Sequence, residues 1–392
     1  MNRIELGWIL AGRLDPLDRE AAELARTRLL SGMREDFSEL DWQMPRTIRP
    51  EAARGARVEP VDLLEIGIAE RHARHWDFSI VVTGADLVSH YGPQALATAS
   101  RSVDVAILST SRIDPLAAGE EFSTEERKRV LAQRIFALAM HLLGRLNGVE
   151  HHDSRGDVMS EIDSVGVLDG MERYSERARD ELRRSLRDVA DLRLEEAPQR
   201  RSRPLFYLQA GWLNLREIAT AVRQARPWLF PLRLGRLSAA AISVLFVLMV
   251  TAEVWELGMS QPAARVGALT AAVFVATTVY IIKRQRLLVR PGSRSLTEQM
   301  VVTNVATTLC VLLGLVTTYL FLLLAVFVLA LAIYPASLVE SWASSLAEPI
   351  HGSHYGRLAA FVASLGILIG ALGASFEGYQ YFRHVIFVDE EV

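Results

Sequence analysis

Residues 141–151 read His-Leu-Leu-Gly-Arg-Leu-Asn-Gly-Val-Glu-His. Imidazole is the commonest metal ligand in proteins. His141 and His151, with His152 or Asp153 beside them, are therefore candidate ligands. Asn147-Gly148 between them is a strong helix stop. Arg145 lies one helical turn after His141, on the same face. Its guanidinium is a permanent cation with no lone pair, so it opposes a metal and favours an anion. The acids within reach along the chain are Glu150, Asp153 and Asp157, any of which can pair with it. The plainer reading makes His141 a core histidine with one hydrogen bond, and places His151 and His152 in a surface loop.

Placed against the zinc-peptidase pattern H-E-x-x-H-x-x-G-x-x-H, His141, Gly148 and His151 fill the first, eighth and eleventh places. Met159 follows in Gly-Asp-Val-Met-Ser, where a methionine turn would lie beneath the metal. The segment thus resembles the metzincins, and among them the archaemetzincins, over about the first 195 residues. That resemblance implies an α+β zincin-like N-terminal domain. It puts Leu142 in the place of the general base and Arg145 in the place of the second ligand. Both cysteine positions of the family's run to the methionine are substituted, the second by Asp157. The further cysteine pair would fall near Ser175 to Asp180, where there is none, so the family's structural zinc site is lost. A leucine accepts no proton and an arginine holds no metal, which leaves no catalytic residue and no zinc as the expected cofactor state. The remnant motif is His141, Leu142, Arg145, Gly148, His151 and Met159.

Charge and hydropathy divide the chain into three parts. Residues 1–198 are acidic, 199–236 form a basic collar with eight arginines and one glutamate, and 237–392 hold long uncharged apolar stretches. Cys310 is the single cysteine, which excludes an internal disulfide and any cysteine-rich metal site. The opening residues lack the apolar run and cleavage site of a signal peptide, so the first part is expected to stay where it is made. It should also fold alone when cut near residue 198.

Within 1–198 the pattern predicts a strand at Ile4–Leu10, a helix at Pro16–Glu39, a further strand near Trp42–Ile48 and a helix at Val61–Trp76. Buried strands follow at Phe78–Thr83 and Val103–Thr110. The motif helix opens at Ser123 with Glu126 three residues on, a capping box in which each side chain satisfies the other's free backbone donor. A charged closing helix is expected at Met171–Glu195.

The third part predicts an all-α transmembrane domain of about four helices, at 238–258, 264–282, 300–333 and 357–377. The third is one long tilted helix ending near Pro335, followed by a short interfacial helix carrying Trp342. Arginine-rich flanks before the first span and after the second put both termini in the cytoplasm of a multi-pass cell-membrane protein. Glu253 and Glu256 are expected at the outer interface, paired with Arg265. Residues 205–230 read as an interfacial amphipathic segment, with Trp212, Arg216, Arg223, Arg226 and Trp228 at the headgroups of the lipid bilayer and no role in nucleic-acid binding. Gly366, Gly370 and Ala374 form a small-residue stripe for close helix approach, from this chain or from a second copy in a homo-oligomer.

These readings combine into a membrane-anchored pseudoprotease. Its former substrate groove would take a peptide or protein partner as a binding or regulatory module. The alternatives are an active membrane metalloprotease with an unusual ligand set, and a transporter or channel with an accessory soluble domain.

Overall fold

The computed structural model describes residues 2–53, 55–119, 122–152, 156–190, 209–288, 298–344, 346, 349–373 and 379–392. The chain divides into two compact units. Unit 1 comprises Met1–Ala210, Pro291–Val301 and Phe387–Val392; unit 2 comprises Gly211–Arg290 and Val302–Ile386.

Unit 1 is built on one sheet of seven strands. Its central strand β1 (Asn2–Ala11) runs parallel to β5 (Phe78–Thr83), and β5 runs parallel to β8 (Val105–Ser109). Every residue of β5 and β8 is buried, as strands covered on both faces require. On its other side β1 pairs with two short strands, β2 (Leu40–Gln43) and then β3 (Arg46–Arg49), where the sequence suggested one. Pro45 lies between them and has no N–H for a continuous ladder. A separate two-stranded pair joins β4 (Arg57–Val58) to β6 (Asp86–Leu87). Beyond β8 the direction reverses. Strand β7 (Ala97–Ser100) is antiparallel to β8, and β9 (Glu390–Glu391) is antiparallel to β7. Neither β7 nor β9 is expected from the sequence, and β9 brings the chain's last residues into the first unit's sheet.

Helices α1 (Pro16–Asp36), α3 (Thr124–Leu146) and α4 (Glu176–Ala190) close one face of this sheet. Ile4, Leu6, Trp8 and Leu10 alternate along β1 toward them. Helix α2 (Pro60–Arg74) covers the opposite face, where Gly67 lets it sit against Val81 and Val105. Helix α3 carries the expected capping box between Ser123 and Glu126. Helix α4 starts at Glu176, five residues later than the apolar pattern suggests; 191–195 lie outside the described residues.

In unit 2, α5 (Leu215–Gln224) forms the amphipathic segment, with Trp212 and Trp228 both exposed. The side chain of Arg216 lies outside the described residues. The first expected span is not continuous. It breaks at Val250–Thr251 into α6 (Gly235–Met249) and α7 (Ala252–Ser260). The Thr251 hydroxyl donates to the Val247 carbonyl and the Trp255 indole to that of Met249, so side chains take up carbonyls freed by the break. Helices α8 (Ala263–Arg284), α9 (Glu298–Ala332) and α11 (Gly352–Gly373) follow, with the short α10 (Ala336–Trp342) before the last. Three helices are long and apolar enough to cross a membrane, or up to four if the bent pair Ile218–Arg233 and Gly235–Met249 is one span. Helix α9 is the single long helix expected. Glu253 and Glu256 make no ion pair with Arg265 among the described residues. Gly370 faces Ala241 and Leu237 of α6, and Gly366 faces Leu322 of α9, so this chain's own helices use the stripe. Ala374 lies outside the described residues.

Candidate metal centre

The site begins with the last turns of α3. Its apolar face is anchored in the large core, and Leu131, Ile135, Leu138, Leu142 and Leu146 are all at most 1% exposed. That anchoring puts His141 inside the domain, fully buried. Its Nδ1 lies 2.7 Å from the Val158 carbonyl oxygen. A carbonyl only accepts, so Nδ1 carries the proton and Nε2 presents a lone pair. That Nε2 is buried without a hydrogen-bond partner. Burial pushes the His141 pKa down to about 4, against the hydrogen bond to Val158, and keeps the ring neutral.

Helix α3 ends at Asn147, and Gly148 follows with φ +77°. This left-handed turn sends the chain back toward His141. A side chain at Gly148 would also collide with the Arg101 guanidinium. Three residues on, His151 brings its ring centroid to 5.3 Å from that of His141. Beneath them the 157–159 loop is tied by Asp157, which accepts from the Met159 N–H at 2.9 Å. The Met159 sulfur packs against Gly144, where a Cβ has no room. Gly148 and Met159 thus position the site.

The third partner comes from the far end of the chain. The Glu390 carboxylate accepts from His151 Nε2 at 2.7 Å and, through its other oxygen, from Arg145 Nε. Ligand atoms of His141, His151 and Glu390 lie within 4.8 Å of one another. Burial alone would raise the Glu390 pKa. The hydrogen bond from His151 and the charge of Arg145 outweigh it and bring the pKa down to about 2. Asp389 moves the other way, raised by burial to about 7 despite the hydrogen bond from the Arg101 N–H.

This arrangement corrects two expectations. Arg145 pairs with Glu390, and its second contact is the Val149 carbonyl at 2.8 Å; neither Glu150 nor Asp157 is its partner. The third acid or imidazole beside His141 and His151 is Glu390 rather than His152, whose Nε2 faces Glu181 at 3.9 Å. Asp153 lies outside the described residues. Leu142 points into the core and contributes nothing polar. Glu390 is separated from His151 by 239 positions, so no local spacing marks it. Its one sequence signal is the frame of apolar Val388 and Val392 around Asp389-Glu390-Glu391.

The donor set suits a divalent transition metal. A neutral imidazole aims a free, buried lone pair at the centre, a second imidazole stands beside it, and a carboxylate completes the group. The Val158 carbonyl holds His141 in the tautomer a metal needs. Arg145 engages the carboxylate oxygen that His151 does not, and so leaves one oxygen facing the imidazoles.

Among solved structures, archaemetzincin from Methanopyrus kandleri is similar to this chain, at 19% identity and a TM-score of 0.38, covering 47% of this chain and 97% of that one. A zinc-dependent peptidase from Methanocorpusculum labreanum is 18% identical, with a TM-score of 0.36 and coverage of 45% and 99%. Archaemetzincin from Archaeoglobus fulgidus, complexed with malonate, is 14% identical, with a TM-score of 0.31 and coverage of 45% and 99%. No family model matches the chain, and no curated protein does.

Proposed function

We propose that the chain is a membrane-anchored zincin-like module that binds one zinc ion without hydrolysing peptides, and that its former cleft serves as a binding or regulatory site. The observation that carries this reading is the convergence of the unpartnered, buried His141 Nε2 with His151 and Glu390 within 4.8 Å. A bound zinc would supply Lewis-acid polarisation. Around it, this chain's residues hold and orient but do not move protons. His141 is fixed by the Val158 carbonyl, and Glu390 is clamped by Arg145. Leu142, in the place of a general base, is buried in the core and accepts no proton. A missing base typically costs ~10²–10⁴ in rate.

The same donors favour one alternative, an active peptidase, because two histidines and a glutamate are a known catalytic zinc set. One preparation decides between them. The full chain in detergent should carry about one zinc by elemental analysis and cleave no peptide library, and His141→Leu and Glu390→Gln should each lower the zinc content. Zinc-free protein after metal loading would defeat the metal reading. Hydrolysis that is lost in His141→Leu would install the peptidase instead.

A further inference from the structure

Strand β9 is held by more than its two backbone partners in β7. The Asp389 N–H donates to the Ala99 carbonyl at 3.0 Å and the Val392 N–H to that of Ala97 at 2.9 Å. The Val392 carbonyl accepts from the N–H groups of Leu96 at 2.5 Å and Ala97 at 3.2 Å. Each of the three acids then finds its own donors. Asp389 accepts from the Arg101 N–H at 2.7 Å. Glu390 lies between Arg145 and His151. Glu391 accepts from Ser89 Oγ at 2.7 Å and from the His90 and Tyr91 N–H groups at 2.9 Å each. The flanking apolar residues are also placed. Phe387 and Val388 are buried, and Val392 packs against the large core.

We infer that the β7 edge, with Arg145, His151 and the turn at 89–91, is a docking site for an acidic extended peptide, occupied here by residues 387–392 of the same chain. The site reads the pattern apolar, Asp, Glu, Glu, apolar in one register, Thr98 opposite Glu391 and Ala99 opposite Glu390. Strand addition to a sheet edge takes affinity from the backbone ladder and specificity from the side-chain positions, and here both are present. Removing the segment would leave an open strand edge beside the Arg145 cation and the His151 ring, which a peptide of the same character would satisfy. The occupant has the advantage of tethering. A segment tethered to its site acts at an effective concentration that can reach order mM when the geometry lets it engage. A free peptide of equal affinity at ~10 µM therefore does not displace it. The site opens to a partner's acidic strand only when the chain's own strand leaves. The inference rests on the proposed function in one respect alone, the sharing of Glu390 between zinc and strand.

The test uses the full chain in detergent and a fluorescent peptide of residues 386–392, Ile-Phe-Val-Asp-Glu-Glu-Val, followed by anisotropy. Wild type should not bind it at ~10 µM, because its own strand holds the site. The full-length double variant Glu390→Lys, Glu391→Lys should release its strand and bind the peptide at least tenfold more tightly than wild type. Adding Arg145→Ala should abolish that gain. Hydrogen exchange gives a second reading. Residues 387–392 and the Ala97 amide should be protected in wild type and exposed in the double variant, while β1 and β5 stay protected in both. Three results would overturn the inference: fast exchange at 387–392 in wild type, retention of the strand after charge reversal, or a released, folded variant that ignores the peptide. Repeating the titration in EDTA separates the two proposals. Peptide binding that persists without zinc upholds the groove even if the metal reading fails. Zinc in wild type with no peptide binding by the released variant leaves the metal and removes the groove.

Discussion

His141 is useful because of what it touches on one side and what it lacks on the other: a carbonyl at Nδ1, nothing at Nε2. Residue spacing points to this histidine and to His151, because the helix stop at Gly148 and the return of the chain are local events. It does not point to Glu390, because proximity across 239 positions is made by the sheet and leaves no periodic trace. A second buried polar group, Asp18, shows what such burial does to stability. Its carboxylate is 8% exposed and accepts from the Thr110 hydroxyl at 2.8 Å. Burial raises its pKa to about 6, against that hydrogen bond. The folded protein therefore holds the proton more tightly than the unfolded chain, whose value is about 3.8. This contribution is fully present below about pH 4 and is lost as pH rises through about 6. Asp18→Asn should remove that pH dependence and leave the variant about 1–3 kcal/mol more stable than wild type at pH 8. Thermal melts of both proteins from pH 4 to 8 check it; parallel curves would rule out Asp18 as the source.

Local patterns specify some elements fully and others not at all. The capping box at Ser123 and the buried runs at 78–83 and 105–109 carry their own signals, and each forms as its residues dictate. Strand β7 reads Ala-Thr-Ala-Ser, with little apolar bulk to mark it, and owes its strand state to β8 on one side and β9 on the other. The break between α6 and α7 is equally silent, because Val250 and Thr251 are ordinary residues in an apolar run. Only the third dimension shows the carbonyls they free being taken by Thr251 and Trp255. The small-residue stripe on α11 was legible as a contact face but not as to its partner. Gly370 brings α11 so close to α6 that an added Cβ would lie 3.0 Å from that of Ala241. Gly370→Leu should separate the two helices at a cost of about 1–3 kcal/mol. Cysteines placed at Ala240 and Gly373, with Cys310→Ser, should cross-link within one chain, and Gly370→Leu should lower that yield. A cross-linked dimer as the main product would assign the stripe to a second copy instead.

The order in which the chain visits its two units constrains how it crosses a membrane. It leaves unit 1 after Ala210 and supplies Phe387–Val392 to the same unit. A sheet cannot have strands on both sides of a bilayer, since β9 hydrogen-bonds directly to β7. The chain between β8 and β9 must therefore cross an even number of times. Helices α8, α9 and α11 are each long and apolar enough to cross. Three is odd, so a fourth crossing is expected from the bent pair Ile218–Arg233 and Gly235–Met249 before α8. The arginines around 223–236 and 283–294 lead the positive-inside rule to expect those loops on one side, the cytoplasmic one. Single cysteines in a Cys310→Ser background test this in whole cells with a membrane-impermeant maleimide. Gln261→Cys and Ser341→Cys should react from outside, whereas Arg3→Cys and Arg284→Cys should react only after the cells are opened. Labelling of Arg284→Cys from outside would remove the crossing expected from the bent pair before α8. Labelling of Arg3→Cys from outside would keep the count and invert the orientation, because parity constrains the number of spans and only charge selects the side.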